Sequence, residues 1–150
     1  MKLNKKEGDN MTQQTMFATN KGSILKKKQK EENIQLAVCA YIKSQYPKVI
    51  FMCDLASGMN MPIWIAAKNK KMRSSRGQPD LFVAQPHEYY SGLFIELKTE
   101  ASRLKSGGIA KSEHHDEQEA ILQRLRDLTY KAEFACGFEE AKKLIDDYLQ

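Results

Sequence analysis

One short apolar segment carries two charges that a buried strand would ordinarily exclude. In Gly92-Leu93-Phe94-Ile95-Glu96-Leu97-Lys98 the apolar residues read as a strand. Strand side chains alternate between faces, so Ile95 and Leu97 turn together into a core while Glu96 and Lys98 share the opposite face. Leu81-Phe82-Val83-Ala84 is a second strand-like run, and a polar turn containing Pro86 and Gly92 joins the two. If that turn is centred near Glu88, Asp80 falls directly across from Glu96, with β-carbons about 4.5–5.5 Å apart. Two carboxylates so placed repel unless something positive lies between them. A hard divalent cation such as Mg²⁺ suits them, because it prefers carboxylate oxygens and retains water. Lys98 on the same face can then contact a phosphate or orient an attacking water. The competing reading is an ion pair of Asp80 or Glu96 with Lys98 on an edge strand, and a short D…ExK match also arises by chance.

The rest of the chain supplies a scaffold for this hairpin. Its 150 residues suit one domain. Ile34, Val38 and Ile42 recur at helical spacing until Pro47, which predicts a helix over 31–46. Residues 49–55 read as a strand broken by Ala56-Ser57-Gly58, and Pro62 to Ile65 as a short helix or an extended segment. Residues 99–112 contain Gly107-Gly108 and little periodicity, which predicts a mobile loop. A second amphipathic helix is expected over 113–129, with Ile121, Leu122, Leu125 and Leu128 on one face. A strand over 133–136 and a helix from Gly137 to Leu149 complete the order α-β-β-β-α-β-α. That order predicts an α/β fold, a mixed sheet flanked by helices.

Two polar residues head the apolar stripes of their helices. Glu31 precedes Ile34, Val38 and Ile42 at helical spacing, so it can reach toward the sheet as a metal ligand or general base. Gln118 precedes Ile121, Leu122 and Leu125 in the same way, and can bond a phosphate or a ligating carboxylate. The bland alternatives are a helix-start acid favoured by the macrodipole and a polar first-turn residue. Lys68, Lys70, Lys71, Arg73 and Arg76 form the one dense basic run outside the N-terminal arm, and lead into Asp80 as a candidate phosphate track or a solvated loop.

The net charge of +5 has a single source. Residues 1–30 hold eight lysines against Glu7 and Asp9, while the remainder is close to neutral. Residues 1–29 therefore read as a basic arm, either solvated or bound to nucleic acid through counterion release, ahead of a domain over 30–150. Cys39, Cys53 and Cys136 form no CxxC pair and sit among apolar residues, which predicts buried free thiols in a reducing compartment. His114-His115 lacks partners at zinc-like spacing and reads as an exposed helix start. No stretch resembles a signal peptide or a membrane span, so an intracellular, cytoplasmic protein is expected.

Taken in order, Glu31-x-x-Ile34-Gln35, Arg76-Gly77-Gln78-Pro79-Asp80, Gly92 through Lys98, and Gln118 leading into Leu125-Arg126 resemble the VRR-NUC domain. This is a branch of the PD-(D/E)XK nuclease superfamily. The resemblance spans about residues 31–149 and leaves out the arm. It implies a restriction-endonuclease-like core and hydrolysis of phosphodiester bonds in DNA with Mg²⁺ or Mn²⁺. It also implies that Asp80, Glu96 and the Leu97 carbonyl hold the metal with help from Glu31. Lys98 would then be the catalytic lysine and Gln118 the polar residue of the following helix. Stand-alone members of this size, often encoded by phages, resemble enzymes selective for branched DNA such as four-way (Holliday) junctions, and are associated with homodimers. Two other readings stay open: a non-catalytic DNA-binding protein with a nuclease fold, and an α/β interaction module without metal affinity.

Overall fold

The structure, a computed structural model, describes residues 30–54, 61–112 and 114–150. The basic arm over 1–29, the break at Ala56-Ser57-Gly58, and Leu55 and Glu113 at the ends of expected elements lie outside those residues. Among the described residues helix α1 occupies 30–45 and stops ahead of Pro47. There follow β1 (Phe51–Cys53), α2 (Ile63–Met72), β2 (Leu81–Val83), β3 (Leu93–Lys98) and a 3-10 turn at Glu100–Ser102. Helix α3 (His115–Asp127), β4 (Lys131–Cys136) and α4 (Phe138–Leu149) close the domain.

The strands form one sheet in the order β1-β2-β3-β4. β1, β2 and β3 run antiparallel in succession, and β4 lies parallel to β3. A parallel neighbour needs a crossover, and α3 supplies it. Leu81 pairs with Ile95 and Val83 with Leu93, the register expected from a turn centred near Glu88.

Strand alternation divides the sheet into two chemically different faces. Leu81, Val83, Leu93, Ile95 and Leu97 point to one side and pack with Val38 and Ile42 of α1 and Ala141, Ile145 and Tyr148 of α4. Burying each large side chain there contributes about 1.5–3 kcal/mol. The Tyr41 hydroxyl of α1 donates to Asp146 of α4 at 2.6 Å, joining the two helices over that core. On the other side Phe82 and Phe94 stack at 4.4 Å, Tyr130 meets Phe94 edge-on at 5.2 Å, and α3 covers the sheet through buried Leu122.

Three expectations need correction. The segment read as a short helix or an extended stretch over Pro62 to Ile65 is a ten-residue helix, α2, between β1 and β2, so the order is α-β-α-β-β-α-β-α. Its run of Ala, Lys and Met after Pro62 has good helix propensity, but it buries no side chain and so has no apolar stripe to read. Residues 99–112 are not featureless. Thr99 and Ser102 are buried, and Arg103 bridges to Ile109 across a turn in which the Gly107 amide donates to the Leu104 carbonyl. The Arg103 guanidinium pairs with Glu140 of α4. Of the three free thiols only Cys136 is buried; Cys39 and Cys53 are half-buried and hydrogen-bond each other between α1 and β1. No helix among the described residues is long and apolar enough to cross a membrane.

Candidate active site

The register that pairs Leu81 with Ile95 places Asp80, one residue before β2, across from Glu96. Both are buried, at 5% and 3% exposure. Asp80 is held from two elements. Its Oδ2 accepts from the Leu97 amide at 2.8 Å, and its Oδ1 accepts from Gln35 Nε2 of α1 at 3.1 Å. The Asp80 carbonyl also accepts from the Asp54 amide at the end of β1.

Glu96 meets the opposite set of partners. Lys98 Nζ donates to its Oε1 at 3.1 Å, and Gln118 Nε2 of α3 donates to the same oxygen. Lys98 also donates to Gln118 Oε1 at 2.7 Å, so lysine, glutamate and glutamine form a closed ring of hydrogen bonds. Lys98 Nζ stands 5.9 Å from the centre of the Phe134 ring. Burial pushes the Glu96 carboxyl up to about 8, and the neighbouring charge of Asp80 adds to the rise. Lys98 opposes it, while Glu31 on the first described turn of α1 raises it further. Desolvation and a like charge both disfavour ionisation, and a single ammonium does not offset them.

Gly77 lets α3 come this close. It adopts φ +75°, and a β-carbon there would lie 3.3 Å from the Gln118 backbone nitrogen. The loop before Asp80 therefore rests directly on the helix that carries Gln118.

The residues singled out in the sequence are thus sorted. Asp80, Glu96, Leu97, Lys98 and Gln118 meet in one place, and Glu31 is near enough to act on Glu96 through its charge. The basic run is not gathered as a unit. Lys70, Arg73 and Arg76 line a cleft of about 630 Å³ that reaches Gln118, whereas Lys68 and Lys71 are exposed on α2 outside it. Arg73 forms an ion pair with Asp54. His115 is half-buried rather than exposed; its ring stacks on Phe134 at 5.2 Å. Sequence reasoning gave no role to Gln35 or Asp54. Gln35 carried a faint signal, since it lies one helical turn after Glu31 and so on the same face. Asp54 carried none.

No family model matches the chain, and no curated protein matches it. Among solved structures the chain is similar to one described as a VRR_NUC domain protein. The two share 25% identity over 80% of this chain and 88% of that one, with a TM-score of 0.58. Together with the mixed four-stranded sheet, this likeness supports a VRR-NUC domain fold for the chain.

Proposed function

We propose that the chain is a divalent-metal-dependent deoxyribonuclease, an endonuclease that hydrolyses phosphodiester bonds in branched DNA such as four-way junctions. The observation that carries this reading is the buried Asp80–Glu96 pair at the end of the β2–β3 hairpin, with Lys98 and Gln118 bound to one of its carboxylates. An isolated structural ion pair needs one acid; a second buried acid opposite it raises the energy of both unless a cation binds them.

The donor set fits a hard cation. In a strand the amide and carbonyl of one residue project to the same edge. The Leu97 amide meets Asp80, so its carbonyl lies on that edge as well, past the first β2 residue paired with β3. Asp80, Glu96 and the Leu97 carbonyl would hold Mg²⁺ or Mn²⁺, with Glu31 assisting from α1. No cluster of three or more acid, histidine or cysteine side chains forms among the described residues. Such an incomplete cage suits an ion that keeps several waters. When bound, the cation polarises the phosphate and lowers the pKa of a coordinated water. Lys98 presents its ammonium at the same place, where it orients the nucleophile and offsets charge developing on the phosphate. Gln118 fixes both Lys98 and Glu96. Lys70 and Arg76 contact flanking phosphates, with Lys68, Lys71 and Arg73 further along α2 and its end. A homodimer matches the twofold character of a junction.

The test is cleavage of labelled four-way junction, flap, single-stranded and linear duplex DNA in Mg²⁺ or Mn²⁺. Wild type is expected to cut the junction, and Glu96→Ala and Lys98→Ala to lose activity by about two orders of magnitude or more. Binding without cutting by wild type would instead support a non-catalytic DNA-binding protein.

A further inference from the structure

The Lys98–Gln118 hydrogen bond joins two clefts beside the carboxylate pair. Gln118 lines the cleft that holds Lys70 and Arg76, while Lys98, bonded to Gln118 at 2.7 Å, lines a second cleft of about 720 Å³ on the far side. This second cleft takes Lys30 and Asn33 from α1, Thr99 and Ser102 from the turn after β3, and Lys111 and Ser112 from the segment leading to α3. Among the described residues that line it, Glu100 is the one acid, against Lys30, Lys98 and Lys111. Lys111 is 80% exposed and stands 3.9 Å from Asp116, a weak surface pair. A third cleft reaches Asp80, and sets Arg73, Arg124, Ser74 and Ser75 against an apolar wall that includes Phe82, Phe94 and Tyr130.

An endonuclease cuts inside a strand, so the backbone must leave the scissile phosphate in two directions. We infer that the cleft between Lys30 and Lys111 is the second of those directions. The cut strand passes Lys70 and Arg76, crosses Lys98 and runs out between Lys30 and Lys111, each neutralising one backbone phosphate. Exposed Ser112 offers a hydroxyl donor that phosphate oxygens accept, while Thr99 and Ser102 are buried and hydrogen-bond each other beneath it at 3.2 Å. The inference rests on the nuclease reading, since it takes the phosphate at the crossing as the one cut.

The experiment measures binding of labelled single-stranded and four-way-junction DNA by fluorescence anisotropy in EDTA over a series of salt concentrations. Each neutralised phosphate contributes roughly 0.7–0.9 to the slope of log affinity against log salt. Lys30→Gln/Lys111→Gln is expected to lower that slope by about 1.4–1.8 and Lys111→Gln alone by about half as much. The control is Lys43→Gln/Lys48→Gln, which removes equal charge. Lys43 lies roughly 20 Å from Lys30 along α1 at the helical rise per residue, and its double variant should keep the wild-type slope. All these lysines are exposed, so melting curves of the variants should match wild type. Equal losses in both double variants, or no change in Lys30→Gln/Lys111→Gln, would overturn the inference. If wild type cuts DNA under those outcomes, the nuclease reading stands without this path; if wild type neither cuts nor binds, both fail.

Discussion

Glu96 is a buried acid whose ionised form the fold disfavours. Its carboxyl sits at about 8 instead of the ordinary 4.5 because burial and Asp80 both oppose ionisation. The folded protein therefore holds a proton that the unfolded chain releases between those values. A group that binds more protons when folded makes stability fall as pH rises. Metal-free wild type should be most stable below about 4.5, so far as this residue is concerned, and lose that contribution as pH rises through about 8. Glu96→Gln keeps the shape and the neutral state, so its stability should be flatter over the same window. Urea midpoints in EDTA would show the difference, on the order of 5 kcal/mol by the energy of each pKa unit. Identical profiles for the two proteins would place Glu96 in a more solvated setting than the one described here. Asp80 depends on a different neighbour. Gln35→Ala removes one of its donors and should cost about 1–3 kcal/mol, the penalty of a buried polar group left short of a partner. Gln35→Glu should do worse, because it replaces a donor to Asp80 with another carboxyl group. Urea denaturation of the two variants ranks these effects.

At the level of elements, the site depends on how closely the loop before β2 approaches α3. Gly77 combines φ +75° with a contact onto the Gln118 backbone, whereas Gly107 has φ +87° with nothing within 4 Å of a built β-carbon. Left-handed backbone costs a non-glycine residue about 1–2 kcal/mol, so both alanine variants should lose stability by about that much. Only Gly77→Ala should also displace Gln118, and with it Lys98, so its cleavage rate should fall well beyond what its stability explains. Stability and rate measured on both variants separate the strain from the contact. The same elements show what a sequence discloses. The β2–β3 register was legible because alternation and a turn of known centre fix which residues oppose each other, and that brought Asp80 to Glu96. Gln118 was legible as a polar residue in line with buried Leu122 and half-buried Ile121 and Leu125. Helix α2 was legible only as a short helix or an extended segment over Pro62 to Ile65, because pattern reading detects burial and α2 buries nothing. Gln35 was not assigned to Asp80 because the two lie far apart in sequence and only packing of α1 on the sheet brings them together. Residues 99–112 looked featureless because side-chain and turn hydrogen bonds, rather than apolar periodicity, order them.

For the whole molecule, the proposed metal site lies where three independently placed pieces meet. Helix α1 brings Gln35 and Glu31, the hairpin brings Asp80 and Glu96, and α3 brings Gln118. The unfolded chain scatters these groups, so a cation held there binds the folded state alone. Such a ligand stabilises by about 2.7 kcal/mol at a concentration one hundred times its dissociation constant. For a domain of this size that corresponds to a rise in Tm of roughly 5–10 °C. Mg²⁺ or Mn²⁺ is therefore expected to raise the Tm of wild type and to leave Asp80→Asn and Glu96→Gln unmoved. The rise should also grow between pH 7 and pH 9, because below about 8 the cation must displace the proton that Glu96 retains. Glu96→Gln has no such proton and should show no pH-dependent gain. A shift of equal size in wild type and both variants would place the bound cation somewhere else on the protein. A shift confined to wild type but independent of pH would keep the cation at the pair and remove the proton from Glu96.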